Sequence, residues 1–109
     1  MKARYGLSEK TTNTIHDVFS RHPEIERAVL FGSRAKGTNK LGSDVDLALL
    51  GKKLTQRTLN RLYDELEDLP IPYQFSLLLS EKITDSDVRA HIERVGVVFY
   101  EKKPASAPP

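Results

Sequence analysis

The sequence predicts a small two-layer α/β (α+β) domain in which the helices pack near one face of a β-sheet. The chain has 109 residues, of which 39% are hydrophobic, so it can bury one core but not two. Short apolar runs bounded by glycine alternate with segments whose apolar residues recur at helical spacing. The resulting order, α-β-(α)-β-α-β-α-β without internal repeats, is typical of a sheet layered against helices.

The first fifty residues predict two helices and two strands. Ser8 is a suitable N-cap for the first helix, and Pro23 cannot continue that helix. Val45, Leu47 and Leu49 alternate with acidic or small residues, which indicates a strand with one buried face. The expected bounds are helices at 8–21 and 33–37, strands at 27–31 and 44–50, and a loop at 38–43.

The second half predicts two helices, each followed by a strand. Thr55 is a suitable N-cap for the first of these helices, and Pro70 closes it. Asp85 or Ser86 begins the second helix, and Gly96 is its expected C′ residue. The strands are expected at 73–79 and 97–100. The apolar positions expected to point inward are Leu59, Leu62, Tyr63, Leu66 and Leu69 in the first helix and Val88, Ile92 and Val95 in the second.

Composition excludes several classes of protein. Zero cysteines exclude a disulfide scaffold, a thiolate zinc site and a cysteine nucleophile. Without an apolar run long enough for a membrane span or a signal peptide, the chain is expected to be cytoplasmic. A net charge of +2 does not indicate direct nucleic-acid binding. The expected domain covers residues 1–103, and the Pro/Ala/Ser-rich tail, 104–109, is expected to be disordered.

One segment, LFGSRAKGTNKLGSDVDLALL at residues 30–50, carries a pattern that a purely structural role does not require. Asp44 and Asp46 project from the same face of a strand, roughly 6–7 Å apart along it. Two carboxylates this close repel each other unless a cation neutralises them, and such oxygen ligands suit Mg²⁺ or Mn²⁺. Upstream, the backbone and hydroxyl of Gly32-Ser33 can receive phosphate oxygens. Positive charge beside this anion site comes from Arg34 and Lys36.

The spacing of these residues resembles a known family, the minimal nucleotidyltransferases of the polymerase-beta superfamily. Their signature is Gly-Ser, ten residues and Asp-x-Asp, and positions 32–46 match it without a gap. Leu-Phe before the glycine and Arg after the serine also match, and HIERVGVVFYEK at 91–102 looks like the C-terminus of these short proteins. The resemblance covers residues 8–102. It implies a nucleotidyltransferase (polymerase-beta palm-like) fold with a small mixed sheet and helices mainly on one face.

The resemblance also implies an activity, namely transfer of AMP from ATP to a hydroxyl by a two-metal mechanism. Gly32 and Ser33 would hold the β- and γ-phosphates, and Asp44 and Asp46 would hold the metal ions. Proteins of this kind are encoded beside HEPN-domain proteins, all-helical toxins that are often RNases. They act as antitoxins, either by binding the toxin or by adenylylating one of its tyrosines. A complex with such a toxin-like protein is therefore expected, with a homodimer as a further alternative.

The sequence departs from the family pattern at the third carboxylate, an aspartate on the neighbouring strand that helps to deprotonate the attacking hydroxyl. Ser76 stands at that position, and strand parity places it across from Asp46. A serine is neither a general base at neutral pH nor a good metal ligand. The alternative sources of a third carboxylate are Glu81 and Asp64.

Three functions remain open on the sequence alone. The first is a protein adenylyltransferase that acts as an antitoxin, with activity weakened by Ser76. The second is an inactive antitoxin that neutralises its partner by binding, and the third is a nucleotide sensor without turnover.

Other polar and aromatic side chains are interpreted structurally: His16 and His22 as surface residues, His91 as a structural or exposed helix residue, Lys52 and Lys53 as a solvated turn, and Tyr63, Tyr73 and Phe75 as core or partner-facing residues.

Overall fold

The computed structural model describes residues 5–40 and 42–102. Within them, helices and strands follow one another in the predicted order. They are α1 (Glu9–Ser20), β1 (Arg27–Phe31), α2 (Gly32–Lys36), β2 (Val45–Leu50), α3 (Gln56–Glu67), β3 (Phe75–Leu79), a 3-10 turn (Ser80–Lys82), α4 (Ser86–Val95) and β4 (Val97–Glu101). The predicted tail at 104–109 lies outside the described residues.

Side chains cap the three longer helices as predicted. Ser8 Oγ accepts the backbone N–H of Thr11 at 3.1 Å, and this bond fixes the start of α1. Thr55 Oγ1 accepts a backbone N–H at 3.3 Å at the start of α3. Asp85 Oδ1 accepts the N–H of Asp87 at 2.8 Å at the start of α4. These local bonds explain why the sequence locates the three helix starts.

The four strands described form one mixed sheet in the order β3-β2-β1-β4. β1 is antiparallel to both β2 and β4, whereas β2 and β3 are parallel. The parallel pair requires a crossover connection, which α3 supplies. As a result, the end of β1 and the beginnings of β2 and β3 meet at one end of the sheet.

The core lies between α1, α3 and one face of the sheet. Alternating residues of the strands point into it, as the sequence pattern predicts. They pack against buried side chains of both helices, and the fully buried residues with the largest side chains are Phe19, Leu7, Ile15, Ile25, Leu30, Leu47, Leu49, Leu62, Val18 and Val45.

The opposite face of the sheet carries α4, whose apolar residues are half-buried. Gly96 ends α4 with φ −63° and ψ 141°, so the left-handed C′ conformation expected there is not adopted. A side chain at Gly96 would overlap the carbonyl of Ile92 and lie 2.8 Å from Val29 Cγ1. The glycine is therefore required by the close approach of α4 to β1.

The outer edge of β3 is covered by a side chain of α3. Tyr63 Oη accepts the backbone N–H of Leu77 at 2.8 Å and donates to its carbonyl at 3.5 Å. Both backbone groups of that edge residue thus have a partner. The interpretation of Tyr63 as a core-facing residue is correct for its ring, which packs against the hydrophobic core.

The structure differs from the sequence prediction at several places. β2 begins at Val45 rather than 44, and β3 begins at Phe75 rather than 73, after the extended residues that follow Pro72. The two histidines interpreted as surface residues are partly buried instead. His16 Nε2 donates to the carbonyl of Phe99 at 2.6 Å, and His22 Nε2 lies 2.8 Å from a Glu65 carboxylate oxygen. His16 thus connects α1 to β4, and His22, just after α1, contacts α3.

Candidate active site

Three strands bring the predicted site residues into one row at one end of the sheet. Asp46 on β2 pairs with Phe31 at the end of β1 and with Ser76 at the start of β3. Paired residues of adjacent strands point to the same face, so these three side chains share the face opposite to the α1–α3 core. The Gly32–Ser33 turn follows Phe31 directly, and it therefore begins beside the Asp46 carboxylate.

Gly32 and Asp46 are in direct contact. Gly32 has φ +76°, a left-handed conformation that favours glycine. A Cβ at this position would overlap Asp46 Oδ2. The glycine is required on both grounds, because its backbone conformation is unfavourable for other residues and its missing side chain makes room for the carboxylate.

Asp44 and Asp46 form a close pair of like charges. Asp44 is exposed, whereas Asp46 is half-buried. Burial raises the pKa of Asp46 above its ordinary value of 3.8, and the negative charge of Asp44 raises it further. The positive charge of Arg34 acts in the opposite direction, as does that of His91 whenever its ring is protonated. The ionised site is thus electrostatically unfavourable in the free protein, and a bound cation would relieve it.

Arg34, expected to contact phosphate, is only 2% exposed and holds the loop in place. Its Nε and Nη2 both donate to the carbonyl of Ser43, at 3.2 and 2.7 Å, and its Nη1 donates to the carbonyl of Tyr5 at 2.8 Å. Its guanidinium also lies over the Tyr73 ring, 5.1 Å from the ring centroid. Because Ser43 directly precedes Asp44, these hydrogen bonds fix the backbone just before the acidic pair.

The other two predicted phosphate ligands differ in position. Ser33 is half-buried in the first turn of α2, next to the contact between Gly32 and Asp46. Lys36 is exposed at the far end of this helix, about 6 Å along its axis from Gly32. Ser33 is thus at the site, whereas Lys36 would have to reach back toward it.

Neither alternative source of a third carboxylate lies near Asp46. Glu81 follows the far end of β3, and three residues of strand alone separate Ser76 from that end by about 10 Å. Asp64 is exposed on α3, which covers the other face of the sheet. Among the described residues, no group of three or more Asp, Glu, His or Cys side chains is arranged to hold a metal ion. The site therefore offers a pair of carboxylates, with a serine as their neighbour on β3.

His91 is a site residue that the sequence interpretation missed. It projects from α4, and its Nε2 accepts the backbone N–H of Gly32 at 3.3 Å. Its ring meets the edge of Phe31, with the centroids 6.2 Å apart. No local pattern reveals this contact, because it depends on α4 docking against residues far away in the chain.

The donor set fits a divalent cation that is held together with a nucleotide. Mg²⁺ binds through one or two protein carboxylates and completes its coordination with water and substrate phosphates. Asp44 and Asp46 supply two such carboxylates, and the pKa of Asp46 is raised first by its burial and then by the negative charge of Asp44. The ends of β2 and β3 that lie away from the site are followed by Lys52, Lys53 and Glu81. These three side chains therefore do not contribute to the site.

Comparison with known proteins shows the family of this chain. Residues 13–105 match the family model described as "Polymerase beta, Nucleotidyltransferase", and the chain belongs to this nucleotidyltransferase family. It is 36% identical over 74 residues to a probable protein adenylyltransferase, MntA, from Haemophilus influenzae. The match covers 67% of this chain and 64% of the relative, so it spans less than two thirds of the relative's length.

Solved structures show the same fold. One chain of a toxin–antitoxin crystal structure with AMP-PNP superposes with a TM-score of 0.68, covering 84% of this chain and 74% of that chain at 20% identity. A chain from the complex of tri-AMPylated Shewanella oneidensis HEPN toxin with MNT antitoxin gives a TM-score of 0.61, covering 84% and 70% at 17% identity. The predicted nucleotidyltransferase fold with a mixed sheet is thus confirmed. No helix within residues 5–40 and 42–102 is both long and apolar enough to cross a membrane.

Proposed function

We propose that this protein transfers AMP from ATP to a hydroxyl of a HEPN-domain toxin and so acts as an antitoxin. The observation that carries this proposal is the contact between Gly32 and Asp46, which places the Gly32–Ser33 turn directly against the acidic pair. The relative from Haemophilus influenzae is described as a probable protein adenylyltransferase, and similar folds occur in toxin–antitoxin complexes. These similarities support both the reaction and the kind of partner.

In this reaction the acceptor oxygen attacks the α-phosphorus of ATP. An oxygen–phosphorus bond forms, the bond from the α-phosphorus to the bridging oxygen breaks, and pyrophosphate leaves while the acceptor hydroxyl gives its proton to solvent water. The Gly32–Ser33 turn receives the β- and γ-phosphates, because Gly32 lets them approach the backbone and Ser33 adds a hydroxyl donor. Asp44 and Asp46 would hold Mg²⁺ or Mn²⁺, which neutralises phosphate charge and activates the oxygen nucleophile when bound.

The reaction is tested with α-labelled ATP, Mg²⁺ and a HEPN-domain protein as the acceptor, taken from the genome that encodes this chain. Label is expected on the partner with the wild type and not with the double variant Asp44→Asn/Asp46→Asn. A matched control is Asp64→Asn/Asp68→Asn, which removes the same charge from exposed positions of α3 and its C-cap. Equal labelling by the wild type and the Asp44→Asn/Asp46→Asn variant would refute the assignment of the site.

Binding of the same substrates can be measured separately from turnover. Mg-ATP should raise the melting temperature of the wild type, because a ligand that binds only the folded state stabilises it. The metal-dependent part of this shift is expected to vanish in the Asp44→Asn/Asp46→Asn variant. A persistent metal-dependent shift in that variant would place the ligand elsewhere.

A second candidate function is neutralisation of the toxin by contact alone. Ser76 favours this alternative, because it offers no base opposite Asp46. Under this alternative the Asp44→Asn/Asp46→Asn variant still co-elutes with its partner in size-exclusion chromatography and still suppresses toxicity. Under the first proposal, the same variant loses protection even where the complex forms. Separate elution of the wild type and its partner at micromolar concentration would contradict neutralisation by contact.

A further inference from the structure

The first turn of α2 takes a cap from a distant part of the chain. Its N-cap residue is Phe31, whose side chain makes no capping hydrogen bond. The backbone N–H of Gly32 donates instead to His91 Nε2, at 3.3 Å. A side chain from α4 thereby satisfies a backbone donor that would otherwise need a local partner.

The contact defines the role of one nitrogen of the His91 ring. Because a backbone N–H can only donate, His91 Nε2 is the acceptor of this hydrogen bond. The edge-on contact with Phe31, at an interplanar angle of 83°, restricts the orientation of the ring. The acceptor nitrogen is thus held in a fixed direction toward the turn.

Gly32 is consequently held from two sides. Asp46 Oδ2 occupies the space that a side chain at Gly32 would fill, and His91 holds its N–H. With φ at +76°, the orientation of the Gly32 peptide determines where the following residue, Ser33, presents its backbone and hydroxyl. A turn that lost one of these two contacts would have more freedom to rotate away from a bound phosphate.

We propose that His91 is a positioning residue for the nucleotide, which it serves by orienting the Gly32–Ser33 turn. The proposal rests on the proposed function, since it assumes that phosphate binds at this turn. His91 acts through the backbone of Gly32 and is not itself required to contact the nucleotide. Nucleotide affinity should therefore depend on the acceptor nitrogen of His91 rather than on the bulk of its ring.

Two variants distinguish the effect of the acceptor nitrogen of His91 from the effect of the bulk of its ring. His91→Phe keeps an aromatic ring against Phe31 but removes the acceptor, whereas His91→Gln supplies an amide oxygen that can accept the Gly32 N–H. His16→Phe serves as a matched control, because it removes another partly buried histidine hydrogen bond at a site between α1 and β4. The dissociation constant of a non-hydrolysable ATP analogue with Mg²⁺ is measured for each, together with amide exchange of Gly32 by NMR.

His91→Phe is expected to weaken analogue binding about three- to tenfold, the range that one lost hydrogen bond typically produces. Exchange of the Gly32 amide should become faster in the same variant, and His91→Gln should recover part of both effects. His16→Phe should change neither. Unchanged analogue affinity in His91→Phe, or no recovery in His91→Gln, would overturn the proposal.

The exchange measurement needs no nucleotide, and it separates two kinds of failure. If the wild type binds no nucleotide, the proposed function fails and the positioning role fails with it, whatever the exchange rates are. If the wild type binds nucleotide but the Gly32 amide exchanges equally fast in wild type and His91→Phe, the positioning role alone is overturned.

Discussion

Ser76 and Asp46 are register partners in the parallel ladder between β3 and β2, and their side chains therefore share one face of the sheet. The place next to the acidic pair is thus filled by a hydroxyl. This relationship makes position 76 the point at which a base can be introduced with the least change to the fold.

Ser76→Asp is expected to increase transfer of AMP to the partner by roughly tenfold or more, because general-base catalysis typically contributes about 10²- to 10⁴-fold. Ser76→Asn is the matched control, since it has nearly the same shape but no basic oxygen. The rates are measured with the partner as acceptor at saturating Mg-ATP. Equal rates in Ser76→Asp and Ser76→Asn would show that the absence of a base at this position does not limit the reaction. If the wild type is fast and Glu81→Gln loses activity, the base lies elsewhere.

Gly32→Ala should abolish metal-dependent nucleotide binding and destabilise the fold, because its Cβ would overlap Asp46 Oδ2. Gly37→Ala provides the control, since Gly37 has a similar φ of +79° but no described atom within 4 Å of an added Cβ. The control is expected to lose about 1–2 kcal/mol of unfolding free energy from the left-handed conformation alone. Denaturant unfolding and nucleotide-induced shifts in melting temperature measure the two effects. A Gly32→Ala protein as stable as the control would contradict the close contact.

Asp46 gives the stability a defined pH dependence. Because its pKa in the folded protein is raised above 3.8, the native state binds this proton more tightly than the unfolded chain does. Its contribution therefore favours folding at low pH and is lost as the pH rises through the raised pKa. Asp46→Asn should unfold at a higher temperature than the wild type at neutral pH, and the difference should shrink as the pH falls toward 3.8.

The neighbouring aspartate supplies a control for this pH dependence. Asp44→Asn removes one of the causes that raise the pKa of Asp46. In this variant the upper end of the pH range over which Asp46 lowers the stability should therefore move down. Melting temperatures between acid and neutral pH, recorded without divalent cations, test both variants. An Asp46→Asn protein less stable than the wild type at neutral pH would mean that its carboxylate makes a favourable contact instead.

Arg34→Met is expected to lower the free energy of unfolding by about 2–3 kcal/mol, because hydrogen bonds to a charged group contribute about 1.5–3 kcal/mol. The variant should also weaken nucleotide binding, since the carbonyl of Ser43, held by Arg34, directly precedes Asp44. Lys36→Met on the same helix removes an exposed charge and should change stability by less than about 0.5 kcal/mol. Similar unfolding curves for the two variants would argue against the loop-holding role of Arg34.

The sequence predicts what depends on neighbours in the chain. Ser8, Thr55 and Asp85 cap helices through bonds to residues two or three positions away, and the sequence locates all three starts. Alternation along β2 and β3 likewise predicts which side chains share a face. The starts of β2 and β3 are less well predicted, because pairing with a neighbouring strand determines where the ladder begins.

Contacts between segments that are far apart in the sequence cannot be predicted from local patterns. His91 meets Gly32 across 59 residues, and His16 meets Phe99 across 83. Arg34 looks like a phosphate ligand in the motif, but the folded chain directs its guanidinium to two backbone carbonyls. For such residues the sequence supplies the chemistry, and the docking of α4, of β4 and of the chain before α1 determines which partner each side chain meets.

The hydroxyl of Tyr63, bound to both backbone groups of Leu77, has a consequence for the behaviour of the protein in concentrated solution. An uncovered edge strand is a template on which another chain can add a strand, and it is a common starting point of aggregation. Phenylalanine at this position would fill the same space but leave Leu77 open to an intruding strand. A single oxygen atom thus helps to keep a small, apolar-rich sheet from growing into a larger assembly.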